Sequence, residues 1–502
     1  MNVLLVFGHP RKDSLGGALY QAFRAGLTAA GVAHRELVLA DLDFDPDVHE
    51  MSPSDQWLEA DIRQAQALIT WADHLVLIYP TWWGTMPARL KGFLDRALIP
   101  GYAFDHRDDG GWSQLLKGKT AQLLTTMDTP QWVYRWIYRS PGHNSLSKAT
   151  LGFCGVRTVR KTVFGPVRTS TATERQRWLT QARQEGLRLR GGALSLGQRR
   201  RDHAVAWLQA VRLQFYPMTL IAYSVGALTA VGDASLDLSA FWWGYAALFL
   251  LEAATVLSND YFDLDSDWQN HNAGPFTGGS RVLVEGKLKP RDVWAGIGVA
   301  LVLYSATLGG LLPAAASPVP LAVALSALTV CALGYTIPPL KLSHRGLGEL
   351  DVALTHSIGV MLPGYLLQRD AWHDPLPWQL SVPLFFAVLP AIVLSGIPDY
   401  DADKAAGKKT LVVIFGKRWA VRAALICTLL ATVSALAWHV LGLDAGVYGI
   451  AIYLVVPHAV LLSWRLIGYG RRKPMSARID ALMALALTFI IWFGVIPLVR
   501  LL

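Results

Sequence analysis

Two short acidic stretches hold the residues of this sequence best suited to chemistry. The first is Asn259-Asp-Tyr-Phe-Asp-Leu-Asp-Ser-Asp267, at the end of an apolar run that begins near Phe241; the second is Asp399-Tyr-Asp-Ala-Asp403, after another apolar run. At about 100° per helical residue, Asp260, Asp263 and Asp267 fall within an arc of about 60°, Asn259 widens it to about 100°, and Asp265 points the opposite way. Asp399 and Asp403 share a face one turn apart, with Asp401 on the other. Carboxylates held that close repel one another unless a cation neutralises them, and oxygen ligands suit a hard ion such as Mg2+. Asp260, Asp263, Asp267, Asp399 and Asp403 are the candidate metal ligands and, with Asn259, the candidate catalytic residues. Two such clusters could grip a diphosphate from either side, with Arg281, Lys341, Lys404 and Lys408 as counter-charges. The competing reading is a merely solvated acidic cap, although acids at the edge of a membrane are usually functional.

The elements that must position these residues are membrane helices. Of 502 residues 52% are hydrophobic and the mean hydropathy is +0.31, but the apolarity is confined to the second part of the chain. Nine apolar spans are expected, near 208–231, 240–258, 292–312, 317–336, 350–367, 380–397, 419–441, 446–466 and 479–499, near the ~20 residues that cross a bilayer. The loops after spans two, four, six and eight carry Arg281, Lys287, Lys289, Arg291, Lys341, Arg345, Lys404, Lys408, Lys409, Lys417, Arg418, Arg471, Arg472, Lys473 and Arg478, whereas the opposite loops offer Arg369. That asymmetry puts both acidic motifs and the N-terminal domain on the cytoplasmic face and the C-terminus on the other. The expected location is the inner, cytoplasmic membrane of a bacterium. A net charge of +9 comes without any base-stacking or groove-reading motif, so nucleic acid is not an expected partner. Cys154, Cys331 and Cys427 are too far apart for a disulfide framework or a thiolate metal cluster.

Residues 1–190 read as an α/β doubly wound domain. Val3 to Phe7 is a strand rather than a signal peptide, followed by a loop and a helix from Ala18 to Ala29, with further strands at Ala33 to Leu39, His74 to Ile78, Thr120 to Thr126 and Thr158 to Phe164. Ligands in such sheets bind beyond the carboxyl ends of the strands. Three loops lie there: His9 with Ser14, Leu15 and Gly16 at a helix start suited to a phosphate; Pro80, Thr81, Trp82, Trp83 and Gly84; and Thr125 with Thr126. His9 could instead cap a turn, and Trp82 and Trp83 could be core packing. Trp132-Val-Tyr-Arg-Trp-Ile-Tyr-Arg139 combines aromatic and basic residues as a membrane-interface segment does, and would equally serve as a lid or a dimer contact. Gly191 to Arg201 reads as flexible and ends on a basic cluster, so 191–206 is the expected linker and 207–502 the membrane domain.

The loop content of residues 1–190 resembles the flavodoxin-like NAD(P)H:quinone oxidoreductase family. His9 and Ser14 match its Gly/Ala-His-x-x-x-x-Ser flavin-phosphate loop, and Pro80 to Gly84 through Asp95 looks like its segment along the isoalloxazine ring. The resemblance implies FAD, with FMN as the alternative, NAD(P)H and a possible homodimer through this domain. The family's Asn is Gly16 here and its Thr-Thr-Gly-Gly turn is Thr125-Thr-Met-Asp128; Tyr134 and His143 are candidates for its catalytic Tyr and His. Residues 205–502 resemble the UbiA-type intramembrane prenyltransferases: Asn259-Asp-x-x-Asp-x-x-x-Asp267 matches the first metal motif and Asp399-x-x-x-Asp403 the second. The loops Gly274 to Gly286 and Tyr335 to Glu349 look most like the menaquinone-forming branch. The implied function is bifunctional. A quinone is reduced to its quinol, and the quinol is prenylated from a prenyl diphosphate in the lipid bilayer. The rival is a membrane-anchored reductase that passes electrons to lipid quinone; a third reading makes the first domain a flavin-free module.

Overall fold

A computed structural model of the chain describes residues 1–107, 111–232, 235–270, 272, 274, 276–473, 475–476 and 479–502; Arg478 and Pro275, which fall in loops named above, lie outside them. Contacts divide the chain into two units, Met1–Arg199 and Arg200–Leu502.

In the first unit, strands β1 (Val3–Phe7), β2 (His34–Val38), β3 (His74–Pro80), β6 (Thr120–Thr126) and β7 (Arg157–Phe164) form one parallel sheet in the order β2-β1-β3-β6-β7. Between β3 and β6 stands a small antiparallel hairpin, β4 (Phe104–His106) with β5 (Trp112–Gln114), which the sequence does not announce. All residues of β1 and β3 are buried, as continuous apolar runs are when helices cover both faces of a parallel sheet. The Leu15–Ala29 helix begins three residues before the expected Ala18, because Ser14 caps it: its Oγ accepts from the Gly17 amide at 3.1 Å. The chain leaves β1 for β2 on one side and reaches β3 on the other. Order reverses there, and the crevice beyond the strand ends at β1 and β3 is where such sheets take ligands.

Where the sequence predicts a flexible basic stretch, Leu196–Val211 is one helix. Ser195 and Gln198 start it with reciprocal bonds, the Ser195 amide donating to Gln198 Oε1 at 2.9 Å and the Gln198 amide to Ser195 Oγ at 3.2 Å.

The second unit is helical. Among the described residues seven helices are long and apolar enough to cross a membrane: Leu238–Phe262, Pro290–Ala314, Gly348–Gln368, Leu376–Ala405, Lys417–Val440, Ile450–Gly470 and Asp480–Leu501. Two further apolar helices at expected spans, Tyr216–Val231 and Pro318–Gly334, are shorter, with 16 and 17 residues. The Leu376–Ala405 helix runs 30 residues through Pro383, Pro390 and Pro398. The second acidic motif therefore sits in its last two turns rather than in a loop, and the helix itself holds Asp399 and Asp403 on one face.

Candidate active site

The first acidic motif closes the Leu238–Phe262 helix. Asp263 caps that helix, its amide donating to Asn259 O at 2.9 Å, and a short helix Leu264–Gln269 follows. The single continuous helix expected over 259–267 is thus interrupted at Asp263, where ψ is 7°. Asp265 and Asp401 are exposed, as their helical phase predicts. Asp260, Asp263 and Asp403 are buried.

Lys408 joins the two motifs. Its ammonium lies 2.9 Å from Asp263 Oδ2 and 3.5 Å from Asp403 Oδ1. Gly407, at φ +73°, turns the chain back after the helix end so that Lys408 points into the acids. Burial alone would lower the Lys408 pKa, but the Asp263 and Asp403 charges outweigh it and hold the ammonium above its ordinary value. Asn270 makes a second link, its Nδ2 donating to Asp399 Oδ1 at 2.7 Å. Asn259 Nδ2 donates to Asp263 Oδ2 at 2.8 Å. His344 Nε2 stands 3.9 Å from Asp263 Oδ1, and burial lowers that imidazole's pKa.

The predicted counter-charges divide. Lys408 is at the centre, and Lys341, in a left-handed turn at φ +43°, is close enough to His344 for their charges to interact. Arg281 acts on the backbone instead, donating to the carbonyls of Asp267 and Asn270 at 3.1 Å each. Lys404 is exposed, its ammonium 5.9 Å from the Tyr400 ring centre. One residue past Asp403 is a rotation of about 100°, which carries Lys404 away from the acids.

Asp260 is engaged from two sides. Arg212 donates to it, and Ser280 donates from both its hydroxyl and, at 3.1 Å, its amide. Both of its oxygens thus already accept hydrogen bonds. The Arg212 guanidinium, 3.3 Å from Asn259 Oδ1, is kept above its usual pKa by the Asp260 charge despite burial. Arg212→Met leaves Asp260 buried without its cation, and breaking a buried pair costs about 3–5 kcal/mol. A lowered thermal midpoint in a melting experiment is expected, with Ser280→Ala, which removes one hydrogen bond to a charged acceptor, losing the smaller amount of about 1.5–3 kcal/mol.

Do these side chains fit Mg2+? Among the described residues no three carboxylate, histidine or cysteine side chains already stand at ligand spacing. Two observations nonetheless favour a hard cation. Asp263 Oδ1 is buried without a hydrogen-bond partner, and the Asp267 carboxyl is pushed up to about 7 by burial and by the Asp263 charge. Both are oxygen groups short of positive charge. Gly279, at φ +73°, lets the loop pass against Asp267; a Cβ there would collide with Asp267 Oδ2. Asp263, Asp267, Asp399 and Asp403 are the residues that fit the ion.

In the first unit the three loops gather at the strand ends. Thr81 N donates to Thr126 O at 2.7 Å, extending the β3–β6 pairing. His9 stacks on Phe7 at 6.0 Å and meets Trp82 edge-on at 5.8 Å, and its Nδ1 accepts from the Arg11 amide at 2.9 Å. Trp82 is 45% exposed and Trp83 fully exposed, so core packing does not explain either. Thr125 and Thr126 are buried. Tyr134 and His143 come together with their rings 5.2 Å apart, the Tyr134 hydroxyl 3.4 Å from Gly84 O and the Gly142 amide donating to the same carbonyl at 2.8 Å. Burial and the Lys161 charge bring His143 down to about 4, so it is neutral at pH 7. Thr125 Oγ1 lies 3.1 Å from its Nε2. The Ser14-capped helix start suits a phosphate, and the buried, unpartnered Thr81 Oγ1 offers a polar contact beside Trp82. These residues fit a flavin. Trp132 and Trp136 stay exposed, while Tyr134 between them is buried.

The profile of the flavodoxin-like fold matches residues 1–186, and that of the UbiA prenyltransferase family matches residues 219–494. The chain belongs to the UbiA prenyltransferase family and carries a flavodoxin-like NAD(P)H oxidoreductase domain ahead of it. An uncharacterized NAD(P)H oxidoreductase of Haemophilus influenzae is 31% identical over 173 residues, 33% of this chain and 85% of its own length. An FMN-dependent NADH:quinone oxidoreductase of Ruegeria pomeroyi is 32% identical over 130 residues, 24% of this chain and 64% of its own. A solved UbiA homolog from Archaeoglobus fulgidus, bound to GPP and Mg2+, has 17% identity and a TM-score of 0.43, covering 58% of this chain and 99% of that one.

Proposed function

We propose that this protein reduces a naphthoquinone to its quinol with NAD(P)H and then transfers a prenyl group from a prenyl diphosphate to the quinol ring. The observation that carries the reading is Lys408, whose ammonium bridges Asp263 of one acidic motif and Asp403 of the other. A solvated cap would not bury an ammonium between acids from separate helices, nor leave Asp263 Oδ1 unpaired. A reductase that only passed electrons to lipid quinone would have no use for this centre.

Mg2+ held by Asp263, Asp267, Asp399 and Asp403 would supply the positive charge that makes diphosphate a leaving group. Lys408 and Lys341 place further positive charge where the departing oxygens gather it. The allylic C–O bond breaks with its electrons on the diphosphate, the ring carbon forms the new C–C bond, and the ring then loses its proton. An electron-rich ring is required, so the quinol reacts and the oxidised quinone does not. A flavin, FMN or FAD, held by the His9–Gly16, Pro80–Gly84 and Thr125–Thr126 loops would carry hydride from NAD(P)H to the quinone. Tyr134 and neutral His143 stand beside the Trp82–Gly84 turn as hydrogen-bond donors to the quinone oxygens, and the proton that completes the quinol after hydride transfer comes from solvent. One chain carrying both activities raises the local concentration of the intermediate. The basic loops orient the acidic motifs and the first domain toward the cytoplasm.

The test is product analysis by mass spectrometry, with the full chain, Mg2+, prereduced menadiol and mixed prenyl diphosphates. A prenylated naphthoquinone is expected; prenyl alcohol and diphosphate alone would contradict the reading.

A further inference from the structure

Glu252 is a carboxylate of the membrane unit that lies outside the acidic centre. Glu252 precedes Asn259 by seven residues on the Leu238–Phe262 helix, which sets it on the same face and roughly 10 Å further along. Its Oε2 accepts from Thr219 Oγ1 at 2.8 Å, and its Oε1 makes no hydrogen bond among the described residues. Tyr216, 3% exposed, presents a hydroxyl with no partner. The Tyr216 ring packs on Phe249, centroids 4.5 Å apart, one turn from Glu252, and the Glu252 charge reaches both Tyr216 and Tyr245. Tyr216 opens the Tyr216–Val231 helix four residues after Arg212, the partner of Asp260. Tyr216, Thr219 and Glu252 thus form the next polar layer beside the acidic centre.

Inside a bilayer, a carboxylate with a free oxygen and a buried hydroxyl without a partner are both costly unless something completes them. The prenyl tail has no hydrogen-bonding group to offer. The diphosphate is an anion, and a carboxylate repels it. What remains is the aromatic acceptor, a ring bearing hydroxyls.

We propose that Glu252 and Tyr216 form the subsite for the hydroxyl groups of the aromatic acceptor, its O–H donating to Glu252 Oε1 so that the ring carbon faces the allylic carbon. The proposal rests on the prenyl-transfer reading above. A hydroxyl that donates to a carboxylate pushes electron density into its ring, and an oxidised quinone has no O–H to donate. The subsite therefore selects the reduced form that the chemistry needs.

The experiment uses the full chain in lipid nanodiscs with prereduced menadiol and geranyl diphosphate. Glu252→Leu and Tyr216→Phe are each expected to raise the KM for menadiol about tenfold or more while the KM for geranyl diphosphate stays within about twofold. Glu252→Gln, which keeps an acceptor oxygen, falls between. A menadiol KM within about twofold of wild type in both variants overturns the proposal, as does an equal rise in both KM values, the mark of a merely structural role. Should the wild type form no prenylated product, the transfer reading fails, and menadiol binding by equilibrium dialysis decides the subsite by itself. Binding about tenfold weaker in Glu252→Leu supports it, and equal binding overturns it.

Discussion

Asp263→Asn is expected to cut prenyl transfer by about two to three orders of magnitude while NAD(P)H oxidation with a quinone, in the same preparation, keeps its wild-type rate. Asp263 is where the acidic centre converges: Asn259, Lys408 and His344 all approach its carboxylate, and its Oδ1 is buried and unpaired. Asparagine matches the shape but removes one anionic oxygen, so a cation loses its best ligand and Lys408 loses its nearest counter-charge. Product formation by mass spectrometry and nicotinamide absorbance read the two activities separately. Equal loss of both would mean the fold had failed, and loss of neither would remove Asp263 from the chemistry.

Lys408→Met has the second-largest effect. The buried ammonium is the only cation within 4 Å of both Asp263 and Asp403 among the described residues, and its removal leaves like charges facing each other across the two motifs. Stripping one partner from a buried pair costs about 3–5 kcal/mol. Transfer should fall by about 100-fold. The sign of a second change is informative: carboxylates freed of their ammonium attract a divalent ion more strongly, so half-saturation by Mg2+ should shift to lower concentration even as turnover drops. Unchanged turnover would exclude Lys408 from leaving-group stabilisation.

Much of this architecture is legible in the chain because periodicity and burial agree. The strand expected at Thr120 to Thr126 is the strand observed, and that at Ala33 to Leu39 is observed one residue shorter at each end. Continuous apolar runs leave little choice of register in a parallel sheet. The hairpin at Phe104–His106 and Trp112–Gln114 escapes because strands of three residues are too short to carry a periodic signal.

In the candidate site, residue type and helical phase select Asp260, Asp263, Asp267, Asp399 and Asp403 and set Asp265 and Asp401 aside. What they miss is supplied by turns. Lys408 and Lys404 look equivalent in sequence, yet Gly407 brings one back onto the acids while helix rotation turns the other outward. Arg212 and Ser280, which engage Asp260, are single residues remote in sequence; a lone cation inside the expected 208–231 span is the available hint for Arg212. Asn270 and Arg281 act through a loop whose path no periodicity describes. Likewise Ser195-Leu-Gly-Gln198 is a capping box within a stretch whose glycines read as flexible.

The coupling of the two activities is tested most directly by one comparison. The purified full chain is given oxidised menadione, geranyl diphosphate and Mg2+, with and without NAD(P)H, and the prenylated product is quantified by mass spectrometry alongside a control with prereduced menadiol. Product from menadione is expected only with NAD(P)H, and product from menadiol in its absence. Equal product from oxidised menadione without a nicotinamide donor would contradict the account.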